Sequence, residues 1–394
     1  MMLKRLFIKT SRTLGIQIQR YHAKYRSGCA SLTPEGPPRG VVLIAYILDP
    51  FLREKHESIS TTHTHNWESF LMAEVWRDLG FAVDVIDYRN DEFFPSKRYD
   101  FLVSARTQFE ILATRLNPEC VKIAHFDTSH FAFNNSATYQ RLRDTQVRRG
   151  VSLPGRIRLI EHNMALEIAD FGVVLGNANV SNTYVYAGKP LFSLSVISSV
   201  ERPWNSKKDF QACRNRFVWF GSNGLVHKGL DLVLEAFTGM PDQHLTVCGP
   251  IVSEPAFCEV YQRELFNTSN IRTIGWVDVS GEQFQRIASE CAAVVFPSCA
   301  EAQASAIINC IRAGLIPIVS RETGLSTGDF GVELATSSID EIQSAVRSIA
   351  ELSPYELASR ARRTWEYAAA FHSHEAYKTQ YREIITRIAT HYGK

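Results

Sequence analysis

Strand-length apolar runs that end at a glycine or a polar loop recur through both halves of this chain. The first is Val41–Tyr46, and a continuous apolar run of this length is typical of a parallel strand buried on both faces. A helical pattern over 66–79 stops at Gly80, and an apolar run at 81–86 follows at once. This order of strand, helix and strand predicts a doubly wound α/β domain.

The second half repeats the pattern with a glycine at the end of several strands. Further strands are predicted at 101–103, 121–124, 171–175, 216–221, 245–249, 271–275, 292–298 and 316–319. An apolar helix is predicted at 302–313, ended by Gly314. Because 394 residues exceed one core of ordinary size, we expect two such domains and a cleft between them.

Composition excludes several classes of protein. Hydrophobic residues make up 45% of the chain and charged residues 21%, which is typical of a globular protein. The net charge of +2 argues against nucleic acid as a partner. The eight cysteines include no C-x-x-C pair, so neither zinc nor disulfides are expected, and no apolar run approaches the ~20 residues of a membrane span. We expect a cytoplasmic protein.

The first 39 residues form a basic N-terminal arm, with eight Lys or Arg against one acid, Glu35. On a helical projection, residues 3–26 place apolar side chains on one side and basic ones on the other. One hypothesis is peripheral binding to an anionic membrane surface at the inner face of the plasma membrane. The alternative is a helix docked on its own domain or a partly ordered arm. The Pro- and Gly-rich segment 30–40 is predicted to be a linker.

Two loops that contain histidine follow predicted strands of the first half. One holds His63, His65 and Asn66, and the other holds His125 and His130. Ligands of open parallel sheets bind outside the carboxyl ends of the strands, so these side chains are candidates for substrate contact. Since the first pair of histidines has no third ligand at a suitable spacing, we predict no metal site.

A candidate anion site lies in the second half. The turn-rich loop 221–229 carries Lys228 close to a helix start, and Glu301 stands at the entrance of the predicted helix 302–313. A helix N-terminus offers unpaired N–H groups and a positive dipole end, so a diphosphate fits there. Glu301 either caps the helix or accepts hydrogen bonds from sugar hydroxyls, and Asn309 either binds ribose hydroxyls or ends a polar helix face.

These residues resemble the retaining glycosyltransferases of the GT-B fold that include sucrose synthases, glycogen synthases and bacterial mannosyltransferases, the family 4-like or group 1 enzymes. The motifs that carry the resemblance are Phe220-Gly221, His227-Lys228-Gly229-Leu230-Asp231, Cys248-Gly249-Pro250, Gly275-Trp276-Val277, Phe296-Pro297-Ser298-Cys299-Ala300-Glu301 and 313–319. Agreement is best over 215–335 and weaker over 41–200. The resemblance implies an α/β architecture of two Rossmann-like, doubly wound parallel-sheet domains that face a central cleft.

The resemblance also implies roles for single residues. Lys228 would neutralise the donor diphosphate, Glu301 would contact the donor sugar, and His125, with His130 as its alternative, would be the histidine on the catalytic face. The remaining donor-binding residues that it implies are Gly221, Ser222, Asn223, Gly249, Pro250, Trp276, Val277, Ser305, Ala306 and Asn309. The acceptor-side candidates are His63, His65, Asn66 and His130.

Two positions depart from the family pattern. Asn309 replaces the second glutamate of the E-x7-E motif, although an amide can still bind two hydroxyls. Ser222-Asn223 stands where the family has an arginine, so Lys228 is expected to carry more of the charge.

The function that the resemblance implies is transfer of a hexosyl group from a UDP- or GDP-sugar to a hydroxyl of a glycan, lipid or small molecule. Retention, independence of metals and cofactors, and a place in polysaccharide biosynthesis belong to the same expectation. The expected domains are the arm and linker 1–39, an acceptor-side domain 40–205, a nucleotide-sugar domain 206–375 and a crossing helix 376–394. The alternatives are a catalytically impaired nucleotide-sugar-binding scaffold and a sugar-nucleotide epimerase of the same architecture.

Overall fold

The computed structural model describes residues 28–53, 58–155 and 158–393. Two parallel β-sheets follow one another along the chain, each with helices on its faces. The predicted fold class of two Rossmann-like α/β domains is therefore confirmed. The predicted amphipathic segment 3–26 lies outside the described residues, so the hypothesis of membrane binding stays a prediction.

Seven strands form the first sheet. They are β1 (Cys29–Leu32), β2 (Val41–Tyr46), β3 (Ala82–Asp87), β4 (Phe101–Ala105), β5 (Val121–Phe126), β6 (Phe171–Leu175) and β7 (Leu191–Leu194). Their spatial order is β1-β3-β2-β4-β5-β6-β7, and only β1 is antiparallel to its neighbour. The direction of winding reverses between β2 and β4, where ligands of doubly wound sheets bind.

Six parallel strands form the second sheet. They are β8 (Arg216–Phe220), β9 (His244–Cys248), β10 (Ile271–Gly275), β11 (Ala293–Phe296), β12 (Ile316–Ser320) and β13 (Val332–Leu334). Their order β10-β9-β8-β11-β12-β13 is that of a dinucleotide-binding fold, with the reversal between β8 and β11. All residues of β11 and β12 are buried, as expected for apolar strands covered by helices on both faces.

Fourteen α-helices lie in the described residues. The longer ones are α1 (Thr64–Asp78), α2 (Arg106–Arg115), α3 (Phe131–Arg149), α7 (Leu230–Thr238), α10 (Glu282–Glu290), α11 (Ser305–Arg312), α12 (Ile339–Ala350), α13 (Pro354–Phe371) and α14 (His374–His391). The short ones are α4 (Ala165–Ile168), α5 (Ala178–Ser181), α6 (Phe210–Cys213), α8 (Pro255–Val260) and α9 (Gln262–Phe266). None of them combines the length and apolarity that crossing a membrane requires.

Two elements differ from the sequence predictions. Within the predicted linker 30–40, β1 instead pairs with β3 as a short edge strand, whose alternating exposure gives little apolar signal. The 19-residue helix α3 has no predicted counterpart, because its buried positions are the polar residues Asn134, Thr138 and Thr145. A helix that buries polar groups lacks the apolar stripe by which helices are recognised in a sequence.

The last helix returns from the second domain to the first and packs on α1. Trp76 Nε1 donates a hydrogen bond of 3.1 Å to the Tyr381 hydroxyl, and both side chains are buried. Lys378 and Arg382 each lie 3.4 Å from a carboxylate of α1. The two domains are thus joined by the chain at two places, near 195–205 and near 371–373.

Candidate active site

The two sheets turn their carboxyl edges toward a common cleft that holds two adjoining cavities. The inner cavity measures about 400 Å³ and the outer cavity about 390 Å³. Residues that line both are His63, Thr64, Ser222, Ser305 and Ala306. The cleft therefore offers one continuous space next to the switch points of both sheets.

An ion pair lies at the base of the second-domain side. Lys228 Nζ is 2.6 Å from Glu301 Oε1, to which the Ser298 hydroxyl donates a hydrogen bond of 3.0 Å. Both charged residues are under 10% exposed. Burial alone would raise the pKa of Glu301, but Lys228 and Arg158 outweigh it and hold that pKa at about 2. The carboxylate is therefore ionised at neutral pH.

The backbone around Lys228 fixes this side chain. The Lys228 carbonyl accepts a hydrogen bond of 3.2 Å from Trp219 Nε1, and Gly229 follows with φ +72°. A Cβ at Gly229 would overlap the Pro297 carbonyl, so only glycine lets the loop approach the end of β11 this closely. Burial lowers the pKa of Lys228, and Glu301 opposes that change.

The N-terminus of α11 opens onto both cavities. Among the described residues no side chain caps it, and its first two residues, Ser305 and Ala306, line the cleft. An uncapped N-terminus leaves N–H groups and the positive end of the helix dipole for an anion. We call Ser222, Lys228, Glu301, Ser305 and Ala306 the second-domain wall.

Part of the predicted diphosphate loop is already engaged by the protein. The Glu254 carboxylate accepts hydrogen bonds from the amides of Gly224 and Leu225 at 2.5 and 3.2 Å. Ser222 and Lys228 face the inner cavity, whereas Asn223 lines the outer cavity and accepts a hydrogen bond from Ser253. Two amides of the loop are thus already bound to Glu254, so an anion in the cleft would instead contact side chains and the amides at the start of α11.

The outer cavity offers a flat apolar surface. It is lined by Gly221, Gly249, Pro250, Trp276 and Val277. A Cβ at Gly249 would come within 2.6 Å of the Gly221 carbonyl, so the two turns meet only without side chains. Trp276 is 61% exposed, which leaves its ring accessible for stacking on a planar group such as a nucleobase.

Asn309 lines the outer cavity, but its amide is bound within the protein. Its Oδ1 accepts hydrogen bonds of 3.1 and 3.0 Å from the Ser198 hydroxyl and the Ser199 amide, and its Nδ2 donates to the Ser305 carbonyl at 2.9 Å. The side chain therefore ties the interdomain connection to α11. One N–H of Asn309 Nδ2 remains for the contact with ribose hydroxyls that the resemblance implies.

The first domain contributes aromatic and imidazole groups to the inner cavity. His63, His65, Asn66 and Tyr46 line it. His63 Nδ1 accepts from the His65 amide at 3.2 Å and so caps α1. Desolvation in the cleft, followed by the charges of Arg158 and Lys228, lowers the pKa of His63, and desolvation lowers that of His65 further. Both imidazoles are therefore neutral at pH 7. Because Nδ1 of His63 already accepts a hydrogen bond, its Nε2 carries the proton and can donate, whereas His65 can still accept a hydrogen bond.

Behind this surface lies a buried carboxyl group. Glu68 is fully buried and receives a hydrogen bond of 3.1 Å from the Tyr46 hydroxyl, and burial raises its pKa to about 7. His65 Nε2 lies 3.8 Å from the same oxygen. We call Tyr46, His63, His65, Asn66 and Glu68 the first-domain wall. Tyr46 and Glu68 are not among the site residues predicted from the sequence.

The structure places the other two predicted histidines away from the cavity surface. His125 is 1% exposed, its ring contacts Tyr46 at 5.0 Å between centroids, and burial lowers its pKa to about 4. His130 caps α3 by accepting a hydrogen bond of 3.3 Å from Ala132 N. Neither lines either cavity. His125 thus lies behind Tyr46 and does not reach the cavity surface, and His130 has a structural contact.

Three charged residues of the inner cavity are new relative to the sequence predictions. They are Arg106, Asp127 and Arg158. Arg106 and Asp127 form an ion pair at the carboxyl ends of β4 and β5, so applying the strand-end rule to every strand would have found both. Arg158 lies in a loop between α3 and α4, where no sequence signal points to it.

No family model matches the chain, and no curated protein matches it by sequence. Solved structures do match. Sucrose-phosphate synthase from Thermosynechococcus elongatus aligns with a TM-score of 0.62 at 13% identity, over 90% of this chain and 100% of that one. HepE from Anabaena, solved with UDP and glucose, aligns at 0.58 and 12% identity, over 88% and 100% of the two chains. These neighbours are GT-B glycosyltransferases. The chain has the GT-B fold.

A third neighbour shares the fold over a smaller part of its length. TarM from S. aureus, as a mutant solved with UDP, aligns with a TM-score of 0.51 at 11% identity, over 71% of this chain and 54% of that one. In the GT-B fold of the present chain, the cleft between the sheets contains the Lys228–Glu301 pair and the N-terminus of α11. The most specific sequence motifs therefore lie at the carboxyl edge of the second sheet.

Proposed function

We propose that this GT-B protein is a glycosyltransferase that transfers a sugar from a nucleoside diphosphate sugar to an acceptor hydroxyl. The observation that carries the proposal is the second-domain wall, where Lys228, Glu301 and the uncapped start of α11 converge on one cavity. This wall offers a cation and amide hydrogens to a diphosphate, and a carboxylate to sugar hydroxyls.

The chemistry follows from where charge develops. When the bond between the sugar and the diphosphate breaks, the leaving oxygens gain negative charge. Lys228 and the N–H groups of Ser305 and Ala306 are fixed before the reaction, so they stabilise that charge more in the transition state than in the ground state. Glu301, ionised beside them, would hold the sugar by accepting hydrogen bonds from its hydroxyls. No metal is needed in this scheme, and we propose a metal-independent reaction with retention.

The acceptor would enter from the first-domain wall. Neutral His65 can accept a hydrogen bond from an attacking hydroxyl, Nε2 of His63 can donate one to the acceptor, and Arg106 with Asp127 can bind further polar groups. We assign this side of the cleft to a glycan, lipid or small-molecule acceptor. A role in polysaccharide biosynthesis and membership of the family 4-like subgroup belong to the same proposal.

The solved neighbours direct the choice of donor. HepE was solved with UDP-glucose and the TarM mutant with UDP. The exposed ring of Trp276 and the apolar turn at Pro250 fit a nucleobase, so the first donors to screen are UDP-sugars, followed by GDP-sugars.

The proposal is tested by a thermal-shift screen of UDP- and GDP-sugars, followed by turnover assays with an acceptor panel in the presence of EDTA. Because a ligand that binds only the folded state raises its stability, the accepted donor is expected to raise the Tm. Sugar transfer should persist in EDTA, and the product should keep the anomeric configuration of the donor. A cleft that binds neither UDP nor GDP would rule the function out.

The hydrogen bonds of Asn309 favour one alternative to glycosyl transfer. Its amide holds Ser198 and Ser199, in place of a free carboxylate at the ribose position that the family resemblance assigns. The alternative is a nucleotide-sugar-binding scaffold without turnover. Calorimetric binding of a donor combined with no transfer to any acceptor would support it, whereas conversion of the donor sugar without an acceptor would indicate an epimerase.

We retain cytoplasmic location and peripheral membrane attachment through residues 3–26 as a separate proposal, which rests on the amphipathic charge pattern of that segment. Co-sedimentation with anionic vesicles tests it. Full-length protein should pellet, and a variant that starts near residue 39 should not.

A further inference from the structure

Arg158 belongs to the first domain but reaches the ion pair of the second. Its Nη2 lies 3.4 Å from Glu301 Oε2, while Lys228 binds the other carboxylate oxygen. The side chain is 29% exposed and lines the inner cavity. Two cations from opposite domains therefore share one carboxylate.

The loop that carries Arg158 is fastened to α3. The side chain of Asn134, which is 2% exposed, donates a hydrogen bond of 2.8 Å to the Arg158 carbonyl. Asn135 exchanges two hydrogen bonds with the backbone of Ile160, at 2.8 and 2.9 Å. These amide contacts hold the backbone at Arg158 and on its C-terminal side against α3, which positions the arginine toward the cleft.

The second domain has a matching gap for this side chain. Gly224 has φ +90°, and a Cβ there would overlap Cγ of Arg158. The aliphatic stem of the arginine thus lies directly against the glycine loop that the sequence analysis assigns to the diphosphate. Any side chain at 224 would displace it.

The guanidinium has donor capacity that the protein does not use. Within the described residues, its Nε is buried and has no hydrogen-bond partner. An arginine presents five N–H donors in a planar fork, and here one carboxylate oxygen at 3.4 Å takes up one of them. Because Glu301 is shared with Lys228, this cluster carries one positive charge in excess, which an anion in the cavity would balance.

We propose that Arg158 donates to the departing diphosphate and so replaces, from the opposite domain, the arginine that is missing at Ser222-Asn223. The inference rests on the proposed glycosyl transfer. Since Arg158 comes from the first domain, its contact with the phosphates forms only when the two domains are closed. Donor binding and closure are thereby coupled.

The experiment compares Arg158→Gln with Arg149→Gln in the full chain. Arg149 is a matched control because it is also an arginine of the first domain, 25% exposed, that pairs with a buried glutamate of the second domain, Glu264, but lines neither cavity. Calorimetry with UDP, and displacement of UDP by uridine, separates phosphate contact from base contact. If the wild type binds GDP and not UDP, GDP and guanosine replace this pair.

We expect Arg158→Gln to weaken UDP binding by on the order of 10-fold or more, as loss of a charge-assisted bond to phosphate does. Uridine binding should stay within about twofold, and Arg149→Gln should leave UDP binding within about twofold. Arg158→Lys should recover part of the loss, because it restores the charge and not the fork.

Three outcomes would overturn the assignment. UDP affinity that is equal in the wild type and Arg158→Gln removes the phosphate contact while leaving the proposed function intact. Equal losses for UDP and uridine assign Arg158 a purely structural role. A gain in UDP affinity identifies the contact with Glu301 as one that blocks the ligand. Failure of the wild type to bind either UDP or GDP, in contrast, rejects the proposed function itself.

Discussion

The two walls of the cleft are built by different means. The second-domain wall uses a loop and a helix N-terminus, and its charged groups, Lys228 and Glu301, follow motifs that are contiguous in the sequence. The first-domain wall uses titratable side chains from the end of β2 and from α1, namely Tyr46, His65 and the fully buried Glu68. Turns and helix starts depend on neighbouring residues, whereas the side chains of the first-domain wall are brought together by packing of a strand against a helix.

The long helix α3 complicates this division, since it belongs to the first domain and contacts the second directly. Thr138 lies 2.8 Å from His227 Nδ1, Arg148 pairs with Asp231 at 2.5 Å and Arg149 pairs with Glu264 at 2.9 Å. The loop that holds Arg158 follows this helix. The first domain therefore contributes directly to the charge of the second-domain wall.

The largest expected effect tests the second-domain wall. Lys228→Ala should lower kcat/KM for an accepted nucleotide sugar by about 10²- to 10³-fold, the usual loss when one preorganised donor to a developing anion is removed. Because Lys228 is buried against Glu301, the free energy of unfolding should also fall.

Steady-state kinetics and chemical denaturation measure the two effects. The control is a double variant, Lys228→Ala with Glu301→Gln. Lys228→Ala alone leaves the buried Glu301 carboxylate without its main cation, and the second substitution removes that charge. That double variant should regain part of the stability and none of the turnover. Normal kcat/KM in the single variant would show that the wall does not bind a leaving group.

The next prediction concerns the first-domain wall and pH. Burial raises the pKa of Glu68 to about 7 from an ordinary value of 4.5, so its stabilising contribution is present below pH 4.5 and is lost as the pH rises through 7. Relative to Glu68→Gln, wild-type protein should lose on the order of 3 kcal/mol of unfolding free energy between pH 4.5 and about pH 8.

Urea denaturation at pH 5 and pH 8 provides the measurement. The nearby His65 and His125 are present in both proteins, so their titration largely cancels in the difference. Tyr46 and Tyr377, which also face Glu68, titrate far above this range because burial raises the pKa of each. Parallel pH profiles for the two proteins would contradict the assignment of a protonated Glu68.

A smaller effect is expected at Asn309 and separates its two roles. Asn309→Ala removes the acceptor of the buried Ser199 amide, and an unsatisfied buried amide typically costs about 1–3 kcal/mol. The Ser198 hydroxyl also loses Asn309 but keeps the Val200 carbonyl as an acceptor at 2.9 Å. We expect this loss in unfolding free energy, with UDP affinity within about threefold of the wild type. A large loss of affinity at unchanged stability would instead make Asn309 a ribose-binding residue of the second-domain wall.

The smallest effect tests whether the two domains touch at Arg158. Gly224→Ala places a methyl group on the stem of Arg158 and a Cβ at φ +90°, which we expect to cost about 1–3 kcal/mol, part of it backbone strain. In an Arg158→Ala background the cost should be lower by about 1 kcal/mol, since the overlap is gone. Additive losses in this double-mutant cycle would mean that the two residues do not meet in solution.

Much of the fold and half of the site could be predicted from the sequence. Residues 41–46, 171–175 and 216–220 are strands in both, and Lys228, Glu301 and the start of α11 lie together as the motifs imply. The predictions succeed there because an apolar run, a glycine turn or a helix start is determined by residues that are only a few positions apart in the sequence. They miss β1, because that strand is partly exposed, and α3, because its buried positions are polar. In neither element do apolar residues recur at the period of a strand or a helix.

The sequence by itself determined two α/β units, the order of their strands along the chain and the approach of Lys228 to Glu301 at the edge of the second sheet. Only the tertiary structure decided that Arg158 reaches Glu301, that Asn309 is bound to the interdomain connection, and that His125 contacts Tyr46. Each of these facts depends on residues more than 75 positions apart in the chain, whose distance is set by packing of the two domains. A local pattern carries no information on such distances, because it records only what neighbouring residues require of each other.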